Sequence, residues 1–180
     1  MSAPKFAAEK LLWEMLGRWK RSTPELDRIQ FLKTVPFFDR LSNRQLKSVS
    51  DIMFERTYDV DESIFEEGQP GAVLFLILEG KVAIEMRRET STTRLAALEK
   101  GAFFGEMALI DDTPRSANAR ALEPTRTLAL YRNDLNELVH RDAKTACQIY
   151  RSLAGTIADR LRLTNELVQT RTPADTALLA

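Results

Sequence analysis

From Phe54 onwards the chain turns β-rich, and this stretch, which ends near Arg132, limits the fold more than any other feature of the sequence. Short β-rich runs fall at 64–65, 73–78, 82–86, 93–98 and 127–131, with Gly68, Pro70, Gly71, Gly80, Gly101 and Gly105 between them. Many short strands separated by turn residues close into a small antiparallel sandwich or barrel. Residues 67–71 and 79–81 read as tight turns that need positive φ, which glycine takes without strain.

Helical periodicity flanks the strands on both sides. Residues 5–20 set Phe6, Leu12, Trp13, Met15, Leu16 and Trp19 among Lys and Glu, the pattern of an amphipathic helix. Ser22-Thr23-Pro24-Glu25 reads as a helix start, with a hydroxyl cap, Pro in the first turn and an acid near the positive end, for a helix running to about Lys33. Pro36 ends it, and Ser42-Asn43-Arg44-Gln45 is a capping box ahead of Leu46, Val49 and Met53. After the strands, Leu135, Leu138 and Val139 mark a short helix, and a long one runs from Asp142 to about Thr170. Its apolar stripe is Ala146, Tyr150, Leu153, Ile157, Leu161, Leu167 and Val168, and Thr164 interrupts that stripe with a hydroxyl. The stripe approaches heptad spacing, so it is either a seam on its own domain or a two-helix dimer interface. Pro173 stops the helix, and 171–180 are expected to be a flexible tail.

Composition removes several function classes. Twenty-six basic residues balance 26 acidic ones. The split is eight basic to five acidic over 1–40, 12 to 16 over 41–136, and six to five over 137–180. No segment has the basic excess that phosphate-backbone binding needs, so nucleic acid is not expected as a partner. Cys147 and His140 are the only residues of their kinds. A disulfide within the chain is therefore impossible, a metal site built on Cys and His lacks ligands, and the helical pattern suggests a core Cys and an exposed His. The longest uncharged run, around 74–78, is far short of the roughly 20 apolar residues of a membrane helix, and Lys5, Glu9 and Lys10 occupy the place of a signal peptide's apolar stretch. The expectation is a soluble cytoplasmic protein with one core, since 180 residues are too few for two full-sized domains.

One constellation carries chemistry. In the run 101–117, Gly105 allows close backbone approach, and 107–110 provide one helical turn before Asp111-Asp112-Thr113-Pro114 breaks it. A one-turn helix with glycine at its mouth turns several N–H groups towards an anion. Arg115 leads back to a strand and can meet the same point with two parallel hydrogen bonds. Glu106, at the helix start, can accept from a sugar hydroxyl and is expected to hold Arg115 in place. A ligand with one anionic phosphate and a free ribose hydroxyl fits that arrangement.

These residues resemble the phosphate-binding cassette of the cyclic nucleotide-binding domain family, which reads F-G-E-[LM]-[AG]-L, a short spacer, then P-R-[SAT]-A. Here Phe104-Gly105-Glu106-Met107-Ala108-Leu109 is followed by Pro114-Arg115-Ser116-Ala117 at the expected spacing. The resemblance covers about 31–169 and implies an α+β fold: an antiparallel β-roll, double-stranded and jelly-roll-like, with N-terminal helices and a long C-terminal lid helix. It implies that Glu106 binds the ribose 2′-hydroxyl, Arg115 and Ser116 the cyclic phosphate, and Gly105, Met107 and Ala108 supply backbone contacts. The segment 158–166 also resembles the corresponding helix of the bacterial cAMP-receptor transcription factors. That likeness places Thr164 on the adenine amino group and Asn165 on the base held by the other subunit. Thr164 can equally hydrogen-bond its own helix carbonyl. The hydroxyl of Ser116 suits either the phosphate of cAMP or the amino group of guanine. Asn118 stands where the family often has Thr or Ser, and no helix-turn-helix domain follows residue 170.

The expected organisation is an amphipathic helical extension over 1–30, a cyclic nucleotide-binding domain over 31–170 and a tail over 171–180. The expected function is a stand-alone sensor of cAMP that signals in trans to an effector protein, with no enzymatic activity, no cofactor and no metal. A homodimer through the C-terminal helix is expected. The alternatives are a lapsed pocket kept as a protein-interaction module, or a receptor for cGMP or cyclic di-GMP. A cupin-like enzyme is disfavoured because the β region has no histidine.

Overall fold

The computed structural model describes residues 23–88 and 91–170, with side chains as far as Glu166. The amphipathic segment carrying Trp13 and Trp19, the tail at 171–180, and the side chains of Leu167 and Val168 lie outside the described residues. Among the described residues, three elements precede the strands: α1 (Glu25–Thr34), a 3-10 turn (Pro36–Phe38) and α2 (Asn43–Ser50). Pro36 forces Val35 into extended backbone, which ends α1.

The capping box at α2 is formed: the Gln45 amide donates to Ser42 Oγ, and the Ser42 amide donates to the Gln45 side chain at 3.0 Å. Ser42→Ala should cost about 1 kcal/mol, read as a small drop in melting temperature with ligand affinity unchanged. The cap expected at α1 is not formed. Pro24 itself holds the cap position, and Thr23 is drawn away: its hydroxyl accepts from Arg126 Nη2 at 2.6 Å and its amide donates to Glu55 at 2.8 Å. Charge-assisted bonds to a paired Arg and Glu outweigh a neutral helix cap.

Eight strands follow: β1 (Met53–Tyr58), β2 (Ser63–Phe65), β3 (Val73–Glu79), β4 (Val82–Arg88), β5 (Ser91–Leu98), β6 (Phe103–Phe104), β7 (Asn118–Ala121) and β8 (Thr125–Tyr131). They form two antiparallel four-stranded sheets, ordered β1-β8-β3-β6 and β2-β7-β4-β5. The expected α+β β-roll is thus present, and α3 (Arg132–Arg141) and α4 (Ala143–Thr170) complete it.

β3 explains how the layers stack. Its side chains alternate between two hydrophobic clusters, so the strand is apolar on both faces. Leu74, Leu76 and Leu78 join Leu128 and Leu130 under the helices, with Leu32, Phe38, Leu46, Leu135, Leu138, Ile149 and Leu153. Phe75 and Ile77 point between the sheets to Val82, Phe104, Ala119 and Ala129. The Asp142 carboxylate caps α4, accepting from the Thr145 amide at 3.1 Å and its hydroxyl at 2.6 Å. Those bonds hold the carboxyl below its usual range.

One helix expectation needs correction. Cys147 is exposed rather than in the core, because Ala146, Ile149 and Leu153 take the inward face of α4 and Cys147 lies beside it. Of the predicted stripe, Ala146 and Leu153 are buried in the domain's core, whereas Leu161 is 59% exposed, as is the neighbouring Leu163 at 58%.

Candidate functional site

Gly105 begins the site. Its φ is +74°, and a Cβ there would lie 2.6 Å from Arg115 Nη1 and 3.0 Å from the Val73 carbonyl oxygen. Only glycine fits both the backbone and the space. The one-turn helix that follows is 3-10 in form, Glu106–Leu109, with Ala108 and Leu109 buried and Met107 outward.

Arg115 is 8% exposed. Its guanidinium donates from Nη1 to the Gly105 carbonyl at 3.1 Å and from Nη2 to the Val73 carbonyl at 2.9 Å, and lies 4.1 Å from the centre of the Phe65 ring. Its backbone is paired with the β2–β3 turn, N–H to Gln69 and carbonyl from Gly68. Gly71 of that turn comes closer still, for a Cβ there would lie 2.9 Å from Ala108 Cβ and 3.0 Å from Arg115 Nε. Nε is buried without a hydrogen-bond partner, and no carboxylate among the described residues forms an ion pair with Arg115. Burial pulls this guanidinium below its usual pKa, nearby Glu106 opposes the shift and Arg132 adds to it. A cation stored this way lacks an anion.

Glu106 is 3% exposed and was expected to hold Arg115 in place; it does not. Its carboxylate accepts from Arg160 Nη1 of α4 at 2.6 Å, and Arg160 Nη2 donates to the Phe103 carbonyl at 3.2 Å. Two backbone carbonyls take the place on Arg115 that Glu106 was assigned. The lid helix is therefore latched to the cassette by a charged pair.

Of the residues singled out by sequence, the fold gathers Gly105, Glu106, Met107, Ala108 and Arg115 around one point, with Ser116 exposed next to Arg115. Thr164 and Asn165 are exposed on α4 one turn past Arg160, and Thr164 Oγ1 donates to the Arg160 carbonyl at 2.9 Å. Asn118 is a brace: it accepts from the Glu67 amide at 3.0 Å and donates to the Glu85 carbonyl at 3.2 Å. Arg160, Gly71 and Phe65 were missed. Arg160 lies four residues before Thr164, so helical spacing places both on one face and could have marked it. No group of His, Cys, Asp and Glu among the described residues could hold a metal ion, and no described helix is long and apolar enough to cross a membrane. A hollow of about 840 Å³ lies elsewhere, lined by Glu85, Arg87, Asn118 and Arg120 among others.

The profile of the cyclic nucleotide-binding domain family matches residues 55–142. Those residues form a domain of that family. The cyclic AMP receptor protein of Thermus thermophilus is 36% identical over 132 residues, 73% of this chain and 59% of that protein. A cGMP-dependent protein kinase of Eimeria tenella is 31% identical over 110 residues, 61% of this chain but 11% of the kinase. The chain thus spans less than two thirds of either relative. A solved cyclic nucleotide-binding domain from Methylobacillus flagellatus superposes with a TM-score of 0.73 at 25% identity, covering 84% of this chain and 86% of the other. This cyclic nucleotide-binding domain is related to both cAMP and cGMP regulatory proteins, and the match at 55–142 contains the whole cassette.

Proposed function

We propose that this chain is a cyclic nucleotide sensor that binds cAMP and signals to an effector protein. The observation that carries the reading is Arg115, a buried cation with an orphaned Nε and no carboxylate partner among the described residues, beside the mouth of a one-turn helix. The cyclic phosphate supplies the missing anion, held by Arg115, Ser116 and the backbone of Gly105, Met107 and Ala108. Glu106 takes the ribose 2′-hydroxyl. Thr164 and Asn165 supply the base contacts from the lid.

Binding changes the company of Glu106, and Glu106 holds the lid through Arg160. The binding energy is thereby expressed as a shift between two lid arrangements. The role is regulatory rather than enzymatic, in the cytoplasm, with 31–170 as the sensing domain, 1–30 as an extension able to dock a partner and 171–180 as a tail. Exposed Leu161 and Leu163 support a homodimer through the C-terminal helix.

The test is calorimetric titration with cAMP, cGMP and cyclic di-GMP, after denaturation and refolding to remove carried-over ligand. Saturable cAMP binding is expected. Preference for either guanine ligand would make the chain a receptor for that nucleotide, and no heat with any of them would leave a protein-interaction scaffold. Thr164→Ala should weaken cAMP about fivefold, with cGMP affected less; equal losses for both would remove Thr164 from base reading.

A further inference from the structure

The cassette helix is gripped at both ends by arginines from one helical pair. Arg160 of α4 takes Glu106, the first residue of Glu106–Leu109. At the other end stands Arg132, the first residue of α3. Its Nη1 donates to the Asp111 carbonyl at 2.8 Å and pairs with the Asp112 carboxylate, and its Nη2 donates to the Gly71 carbonyl at 2.7 Å. Its own amide donates to the Ala72 carbonyl at 2.9 Å. Asp111 lies two residues past the end of the helix, its amide bonded to the Met107 carbonyl at 3.2 Å. Gly71 is the residue that packs against Ala108 and Arg115. One planar fork therefore joins three parts: the β2–β3 turn behind the phosphate site, the exit of the cassette helix, and the start of α3.

α3 and α4 are packed together. Leu135 and Leu138 share a core with Ala146, Ile149 and Leu153, and the Tyr150 hydroxyl donates to Asn136 at 3.1 Å. The two grips differ in kind. Arg160 is half exposed and holds a carboxylate that ligand can claim, whereas the Arg132 side chain is 17% exposed and holds main-chain carbonyls that no ligand replaces. We infer that Arg132 is a positioning residue: it is the pivot that keeps the exit of the cassette helix fixed to α3 while the entrance, at Glu106, responds to ligand. Without a fixed exit, drawing Gly105 and Glu106 towards a phosphate would slide the helix rather than turn it, and α3 would receive nothing. The ligand-dependent half rests on the proposed binding of cAMP; the mechanical half does not.

Hydrogen exchange on the whole chain tests the two halves separately, using the wild type, Arg132→Gln and Arg132→Lys, each without ligand and with saturating cAMP. Without ligand, Arg132→Gln should speed exchange at 107–114 about tenfold and leave 74–78 unchanged, with Lys intermediate because it keeps the Asp112 pair but spans only one carbonyl. With cAMP, Arg132→Gln should bind about tenfold more weakly by calorimetry and lose the protection that cAMP confers on α3 in the wild type. Unchanged exchange at 107–114 overturns the pivot, as does exchange that rises equally at 74–78, which would be general loss of stability. Undiminished protection of α3 in Arg132→Gln overturns the relay. A wild type that ignores cAMP while 107–114 still loosen in Arg132→Gln would overturn the nucleotide reading and support the pivot.

Discussion

Arg115→Ala is expected to weaken cAMP binding at least a hundredfold. Hydrogen bonds between charged groups contribute about 1.5–3 kcal/mol each, and Arg115 presents a fork already fixed by the Gly105 and Val73 carbonyls at 3.1 and 2.9 Å. Holding the side chain before ligand arrives means that little ordering remains to oppose binding. Alanine removes the charge and leaves those carbonyls without their donor, so some stability is lost as well. Arg115→Lys separates the effects: it keeps a cation beside Phe65 but not the fork, and should fold well while still binding at least tenfold more weakly. The check is calorimetric titration of both variants beside the wild type. Wild-type affinity in a folded Arg115→Ala protein would place the phosphate somewhere else.

Gly80→Ala is expected to be the most damaging of the small substitutions considered. At φ +96°, an L side chain is strained, and here there is also no room: a Cβ would lie 2.5 Å from Thr125 Oγ1, 2.7 Å from the Pro124 carbonyl oxygen and 2.7 Å from Thr125 Cα. Two of those atoms are backbone, so the β3–β4 turn or the start of β8 must move. The combined cost is about 3 kcal/mol, a fall of roughly 10 °C in melting temperature for a chain of this size. Gly68 provides the control. It has nearly the same backbone, φ +82°, yet nothing lies within 4 Å of its Cβ position. Gly68→Ala should therefore cost only the conformational strain, about 1 kcal/mol. Equal destabilisation in the two variants would mean that strain alone, and not crowding, sets the value at Gly80.

Reading of the strands was best where they are long. β3, β4, β5 and β8 follow the predicted runs, because a strand packed on two cores or paired along its length needs a continuous apolar or alternating pattern. β6 and β7 left no signal of their own; at two and four residues they are defined by pairing with β3, β2 and β4 rather than by composition. The hydroxyl cap illustrates a different failure. Ser42 caps α2 because Gln45, three residues on, completes the box, whereas Thr23 was claimed by Glu55 and Arg126, the latter 103 residues away in sequence.

The sequence by itself determined a small antiparallel β fold with flanking helices, the glycine-led one-turn helix and following arginine within 104–117, and the capping box at Ser42. Those features rest on short-range rules: glycine where φ is positive, Pro where a helix must stop, hydroxyl and amide three residues apart, and a one-turn helix followed by an arginine. Only the tertiary structure decided which partner each long polar side chain took. Glu106 went to Arg160, Arg115 to two carbonyls, and Arg132 to the far end of the cassette helix. Arginine and glutamate side chains reach several ångströms and can satisfy their charges in many ways. The choice among those ways is made by the packing of elements that lie 10 to 54 residues apart along the chain, and no local pattern encodes it.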